Sequence, residues 1–311
     1  MRPEVRRLEA AMRGLDYIAE PSIVTAVHLA RSMEKPLLVE GDAGVGKTEI
    51  AKVMAGVMET ELIRLQCYEG LDANTALYEW NYQRQLLRLR MEAGEAAAAG
   101  SAATPTPPGE SGEAGVDRLE DVIFGRRYLL ERPLLRAITR TDAPPVLLID
   151  EIDRADEGFE AFLLEVLSDF QVTIPELGTI RATHRPLVVL TSNRTREIGD
   201  ALRRRCLYLY IEHPDFEKEV EIVRTKVPDV SDALAEEITH LVQQLRGRRL
   251  MKPPGVAETL DWARALVTLH CDRLDADIVT ETLGCLIKDY HDSGQFKAAE
   301  IDTLVAAARA G

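Results

Sequence analysis

The chain has 311 residues, 46% of them hydrophobic, which is enough apolar side chain for a large core and two domains. Lys and Arg total 38 against 52 Asp and Glu, a formal net charge of −14, so non-specific binding to a phosphate backbone is disfavoured while a local basic patch is not excluded. The four cysteines, Cys67, Cys206, Cys271 and Cys285, are scattered without a C-x-x-C pair, which argues against a zinc site or a disulfide frame and fits reduced thiols in a cytoplasm.

The opening MRPEVRRLEAAMRG mixes Arg2, Arg6 and Arg7 with Glu4 and Glu9 and has no apolar run of the signal-peptide kind. It reads as a solvated helix. Residues 18–33 form a second helical pattern on Ile23, Val24, Val27, Leu29 and Ala30. No apolar run in the chain approaches the roughly 20 residues of a membrane span.

Next comes LLVEGDAGVGKTEIAKVM. Leu37, Leu38 and Val39 read as a buried strand, and Ile50, Val53, Met54 and Val57 recur at helical spacing. Between them Gly41, Gly44, Gly46, Lys47 and Thr48 fit G-x-x-x-x-G-K-[ST], the Walker A pattern. Glycines let the loop curl so that N–H groups converge on an anion, and the following helix adds its free N–H groups and dipole. The loop Gly41, Asp42, Ala43, Gly44, Val45, Gly46, Lys47, Thr48 and Glu49 is the expected nucleotide cradle. Lys47 would reach the β- and γ-phosphates and Thr48 would sit on Mg²⁺. The plainer alternative, a glycine turn with an exposed lysine, does not account for the strand before it and the helix after it.

Residues 62–68 alternate as a second strand, and 76–90 read as an arginine-rich amphipathic helix. Residues 91–117 are Ala, Gly, Pro, Ser, Thr and Glu with almost no large apolar side chain, the composition of a disordered insertion. Helical pattern returns over 127–139. Val146, Leu147, Leu148 and Ile149 then form a continuous apolar strand ending in Asp150 and Glu151. Acids at a strand tip downstream of Walker A fit Walker B, with Asp150 on Mg²⁺ and Glu151 polarising the attacking water.

The stripe Phe159, Phe162, Leu163, Val166, Leu167 and Phe170 is core of the next helix. Residues 171–185 read as a hairpin about Pro-Glu-Leu-Gly. A buried strand follows, ending in Thr191, Ser192 and Asn193. From Asp215 onward helix-period sequence dominates.

Walker A, LLIDEIDRA, a hairpin, VVLTSN and ALRRRC occur in the order of AAA+ proteins, and the chain resembles a MoxR-type AAA+ ATPase. DEIDRA is similar to that group's Asp-Glu-Ile-Asn-Arg-Ala, with Asp153 in place of Asn. The segment CYEGLDANTALYEWNYQRQLL is similar to the CoxD-like branch, found beside carbon monoxide dehydrogenase genes.

The resemblance implies an α/β fold, a P-loop AAA+ parallel-sheet domain over 1–213 and a small all-helical lid over 214–311. It implies Asn193 as sensor 1, an arginine finger among Arg203, Arg204 and Arg205 with Arg205 first and Arg204 second, and adenine at Tyr17 and Ile18. Arginine suits a finger because its planar fork meets phosphate oxygens bidentately. The group's sensor-2 arginine is missing: Ala257 stands at its place, with Lys252 nearby. ATP and Mg²⁺ are the implied cofactors. A homo-oligomeric ring, hexameric in this group, a von Willebrand factor A-domain protein and a metalloenzyme client of the molybdenum hydroxylase kind are the implied partners. The work is chaperone-like remodelling for metal-cofactor insertion. Two other classes stay open, an ATP-gated assembly scaffold with little turnover and a nucleic-acid motor, which the charge disfavours.

Overall fold

The computed structural model describes residues 2–99 and 124–310. The chain opens with helix α1 (Pro3–Arg13), whose Val5, Leu8 and Met12 are buried at i, i+3 and i+7. It is therefore docked on one face rather than solvated all round. Residues 17–20 are not helical. Helix α2 (Pro21–Met33) starts at Pro21, whose fixed φ suits the first helical turn, three residues later than the sequence pattern suggests.

Strand β1 (Leu37–Gly41) leads into helix α3 (Lys47–Val57), then strand β2 (Leu62–Gln66). The segment expected as one helix over 76–90 divides: α4 (Ala73–Leu77), β3 (Tyr78–Trp80) and α5 (Tyr82–Ala99). The aromatic Tyr78 and Trp80 favour extended backbone, and Trp80 is buried. Helix α5 runs to Ala99, so residues 91–99 of the expected disordered insertion are helical. MEAGEAAAA is rich in strong helix formers, which low apolar content alone does not reveal. The remainder of that insertion, 100–117, lies outside the described residues.

The helical expectation for 127–139 is half right. Strand β4 (Leu129–Glu131) pairs antiparallel with β3 before helix α6 (Pro133–Thr139) begins. Strand β5 (Val146–Asp150) is buried throughout. Helix α7 (Glu157–Asp169), capped by Asp156, precedes the hairpin of β6 (Gln171–Ile174) and β7 (Gly178–Arg181). Strand β8 (Leu187–Ser192), helix α8 (Asp200–Arg205) and strand β9 (Leu207–Ile211) complete this part.

The main sheet has five parallel strands in the order β2-β5-β8-β1-β9. Alternate residues of its strands feed two cores. Leu37, Val39, Leu148 and Val189 pack with α1, α2 and α3, whereas Leu38, Leu147, Ile149 and Leu190 pack with α6, α7 and α8. Both faces are covered, which is why these strands are apolar without alternation.

After β9 the described structure is helical: α9 (Phe216–Lys226), α10 (Asp232–Arg246), α11 (Val256–Thr268), α12 (Ala276–Thr282), α13 (Tyr290–Ser293) and α14 (Ala298–Ala310). They enclose a separate core around fully buried Trp262, whose indole N–H donates to Thr282 Oγ1 at 2.8 Å. No helix among the described residues is long and apolar enough to cross a membrane.

Candidate functional site

A cavity of about 590 Å³ lies between the carboxyl ends of the parallel strands and the helical C-terminal region. This is where an open α/β sheet collects loops and ligands. Its floor is the loop after β1. At Gly41 a Cβ would stand 2.3 Å from the Ile211 carbonyl oxygen of β9, so no larger residue fits. Gly46 caps α3 at φ +93°, the left-handed region that glycine occupies without strain. The loop therefore curls, and Lys47 Nζ donates to the carbonyls of Gly41 (2.8 Å) and Asp42 (2.6 Å). Burial pulls the Lys47 ammonium below its ordinary pKa, and the carboxylates of Asp153, Asp42, Asp150 and Glu151 pull it partly back.

Of the sequence-predicted loop residues, Ala43, Gly44, Val45, Gly46, Lys47, Thr48 and Glu49 line the cavity. Asp42 faces elsewhere, with its carboxylate 3.6 Å from His213 Nε2. Tyr17 and Ile18 also line the cavity and form an apolar end with Ile211, Pro214, Ile222 and Leu260.

Strand β5 brings the acids in. Asp150 is buried and accepts from Thr48 Oγ1 at 3.0 Å and Thr191 Oγ1 at 2.5 Å on one oxygen, and from Arg64 Nη2 at 2.5 Å on the other. The sequence reading missed Arg64, an exposed cation of β2 between the buried Ile63 and Leu65. Thr191 also accepts from the Glu151 backbone N–H at 3.0 Å, so one hydroxyl ties both acids to the tip of β8. Glu151 adopts φ +55°, uncommon for a non-glycine residue and a mark of a constrained site. Asn193 lines the cavity beside them.

Asp153 is buried beneath the loop that carries Asn193. Its Oδ2 accepts from the N–H groups of Asn193 (3.2 Å) and Thr195 (2.9 Å) and from Thr195 Oγ1 (2.7 Å), while Oδ1 is buried without a partner among the described residues. Glu160 holds the other end of the same loop, accepting from Arg196 and from the Gly199 N–H.

None of the three consecutive arginines lines the cavity of its own chain. Arg203 donates to buried Glu40 at 3.3 Å and lies over the Tyr208 ring. Arg205 donates to Ser168 Oγ. Arg204 is exposed and makes no side-chain hydrogen bond or ion pair among the described residues.

The helical region forms the roof. The Ala257 N–H donates to the Gly44 carbonyl at 3.3 Å, and a Cβ at Gly255 would come within 2.8 Å of both the Ala43 oxygen and Gly44 Cα. The residue at the missing-arginine position thus rests on the loop backbone itself. Lys252 is not at the cavity; its exposed segment is held by Asp292, which accepts from the Lys252 N–H. Arg264, seven residues after Ala257 on the same helical face, does line the cavity, paired with Asp261 at 3.1 Å. Helical spacing from Ala257 could have found it.

The oxygen donors Thr48 and Asp150 suit a hard divalent cation such as Mg²⁺, and the curled N–H-rich loop suits phosphate. Several known proteins are similar to parts of this chain. The gas vesicle ATPase GvpN of Haloferax mediterranei is 38% identical over 128 residues, which are 37% of this chain and 36% of that protein. The Holliday junction branch migration complex subunit RuvB of Thermotoga petrophila is 26% identical over 184 residues, 56% of this chain and 54% of that protein. The chain thus spans about half the length, or less, of these curated relatives. The solved Thermotoga maritima RuvB branch migration motor aligns with 88% of this chain and 69% of its own, at 20% identity and a TM-score of 0.45. The model of the AAA family matches residues 37–212, more than half of the 311, and the chain belongs to that family, the ATPases associated with various cellular activities.

Proposed function

We propose that the chain is a Mg²⁺-dependent ATP hydrolase of the MoxR type whose sites are completed at contacts between copies in a ring, hexameric by resemblance. The observation that carries this is the junction of the two motifs, Thr48 Oγ1 on Asp150 Oδ1 at 3.0 Å at the cavity floor. These two residues would hold Mg²⁺, which supplies charge neutralisation of the phosphates when bound. Lys47 leaves its loop carbonyls to meet the phosphate oxygens. Glu151 orients the attacking water, and Asn193 holds a polar side chain beside it. The apolar end at Tyr17 and Ile18 takes the base. Residues 1–213 act as the nucleotide-binding domain and 214–311 as the lid. An arginine of α8 reaches the site of the next copy: Arg205 is first by motif position, and the exposure of Arg204, which has no side-chain partner among the described residues, supports it as the alternative.

The work done is remodelling of a metalloenzyme client in the cytoplasm, with a von Willebrand factor A-domain partner. The likeness of 67–87 to the CoxD-like branch supports a molybdenum hydroxylase such as carbon monoxide dehydrogenase. A nucleic-acid motor draws support from the RuvB match, and its surface charge of −14 opposes it. Failure to shift DNA at low salt removes it.

The test of the hydrolase is a pair of variants. Glu151→Gln is expected to keep labelled-ATP binding and lose turnover, since the amide cannot take a proton. Lys47→Ala is expected to lose binding. Wild-type phosphate release by Glu151→Gln overturns the assignment.

A further inference from the structure

Glu151 is not free in this structure. Its carboxylate meets Arg154 Nη1 at 3.1 Å, three residues on. Two backbone features create that contact. Glu151 is left-handed (φ +55°, ψ +51°), and Ile152–Arg154 form a single 3₁₀ turn closed by the Arg154 N–H on the Glu151 carbonyl at 2.9 Å. The closure from residue 151 to residue 154 brings the start of the Arg154 side chain back beside the acid. The strained φ is fixed independently, because the Glu151 N–H is held by Thr191 Oγ1.

The guanidinium also has somewhere else to go. Arg154 lines a second cavity of about 490 Å³ with Glu69 from the loop after β2, Asp156 and Glu157 at the start of α7, and Arg196, whose guanidinium is already engaged by Glu160 and the Ala155 carbonyl. Asp156 is engaged in capping α7, accepting from the Phe159 N–H at 2.8 Å, whereas Glu69 and Glu157 make no ion pair among the described residues. Arg154 therefore stands between a carboxylate facing the nucleotide cavity and two carboxylates facing away from it. Its side chain is 60% exposed, so either pairing is weak and exchange needs little.

We infer that Arg154 is a positioning residue that restrains Glu151: paired, it holds the carboxylate off the attacking water, and moved to the Glu69–Glu157 cleft it releases it. This rests on the reading of Glu151 as the residue that orients water. The contact does not touch Lys47, Thr48 or Asp150, so nucleotide affinity is outside its reach. An exposed ion pair shifts such an equilibrium by no more than about five-fold, and salt screens it.

The experiment uses the full chain and measures steady-state phosphate release together with labelled-nucleotide binding. Arg154→Gln is expected to raise kcat by about two- to five-fold with nucleotide Kd unchanged, and Arg154→Lys to return kcat to the wild-type value. The double variant Glu69→Gln/Glu157→Gln, which empties the second seat of charge, is expected to lower kcat in the wild type and to leave Arg154→Gln unaffected. Raising salt to about 0.5 M is expected to bring the wild type up toward Arg154→Gln, whose own rate stays level. Glu151→Gln separates the two readings. If it turns over normally, the role of Glu151 is wrong. If it is dead while Arg154→Gln matches the wild type in kcat and salt response, Glu151 keeps its role and the restraint is wrong. A fall in kcat for Arg154→Gln without a change in melting temperature also overturns the restraint, since it makes the arginine a helper rather than a brake.

Discussion

Arg203, Arg204 and Arg205 are consecutive, yet their surroundings assign them different work. Arg203 neutralises Glu40, which is buried in β1 just before the curled loop and also accepts from Tyr208 OH at 2.9 Å. Arg203→Ala strands that carboxylate and is expected to cost about 1–3 kcal/mol in denaturant unfolding. Arg204 has no side-chain partner among the described residues, and Arg204→Ala is expected to leave unfolding unchanged within about 0.5 kcal/mol. Asp153 is a second residue whose weight is structural. It accepts three hydrogen bonds from the loop carrying Asn193, so Asp153→Ala should cost about 2–4 kcal/mol, and Asp153→Asn, which keeps an acceptor, less than half of that. Equal melting temperatures for the two variants would remove Asp153 from this role. The sequence displayed Lys47, Thr48, Asp150 and Glu151 because glycine spacing and strand-end acids are local patterns. The contacts of Arg64 and Thr191 with Asp150 were hidden because they come from separate strands, which only tertiary packing brings together, whereas Arg264 was within reach of helical spacing from Ala257. Arg205 was preferred by motif position, which carries no information on its contact with Ser168.

At the scale of elements, legibility follows burial. Strands β1, β5 and β8 are covered on both faces, so their apolar runs stood out, and α7 showed its stripe for the same reason. The excursion α4-β3-α5 and the strand β4 were misread. Their strands are three residues long, shorter than any period can declare, and β3 and β4 find each other across the 48 residues that separate Trp80 from Leu129. Alpha-helical propensity, not amphipathicity, carries α5 through Ala99. The junction between α11 and the phosphate-type loop yields a test at this scale. Gly255→Ala places a methyl group 2.8 Å from Ala43 O and Gly44 Cα, so the roof must lift. Nucleotide affinity is expected to fall about ten-fold or more while the helical core around Trp262 stays folded, which binding assays and indole fluorescence report separately. Unaltered affinity would show that the contact is incidental.

For the whole molecule, the proposed sharing of sites between copies predicts complementation. Lys47→Ala lacks its own site and keeps its arginines; Arg204→Ala keeps its site. Each alone should be nearly inactive, since removing a finger costs on the order of 10³-fold, and mixed copies should exceed the sum of the two. Absence of rescue with every arginine of the triplet, in rings shown by light scattering to be mixed, would end the shared-site proposal. The joint between the sheet and the helices makes a second prediction. His213 is pulled below its ordinary value of 6.5 by burial and by Arg246, against the opposing carboxylates of Asp42, Glu219 and Glu258, and its Nδ1 is buried without a partner among the described residues. A histidine kept neutral by folding binds its proton more readily when unfolded. Its contribution is therefore present above about pH 6.5 and is lost as pH falls below that value through the folded-state pKa. His213→Gln should flatten the loss of melting temperature in that range, and an unchanged slope would acquit this residue.

The hydrogen bond from Ala257 to Gly44 has a consequence for time. A roof that rests on the backbone of its own floor cannot open by side-chain rotation. Opening would then need the helices from α9 onward to move away from the loop together, and a movement of that size belongs to the microsecond-to-millisecond range. If the proposed hydrolysis holds, spent nucleotide leaves at the tempo of that swing rather than at the tempo of bond cleavage, and loosening Gly255 or His213 should shorten the residence of ADP before it alters the chemistry at all.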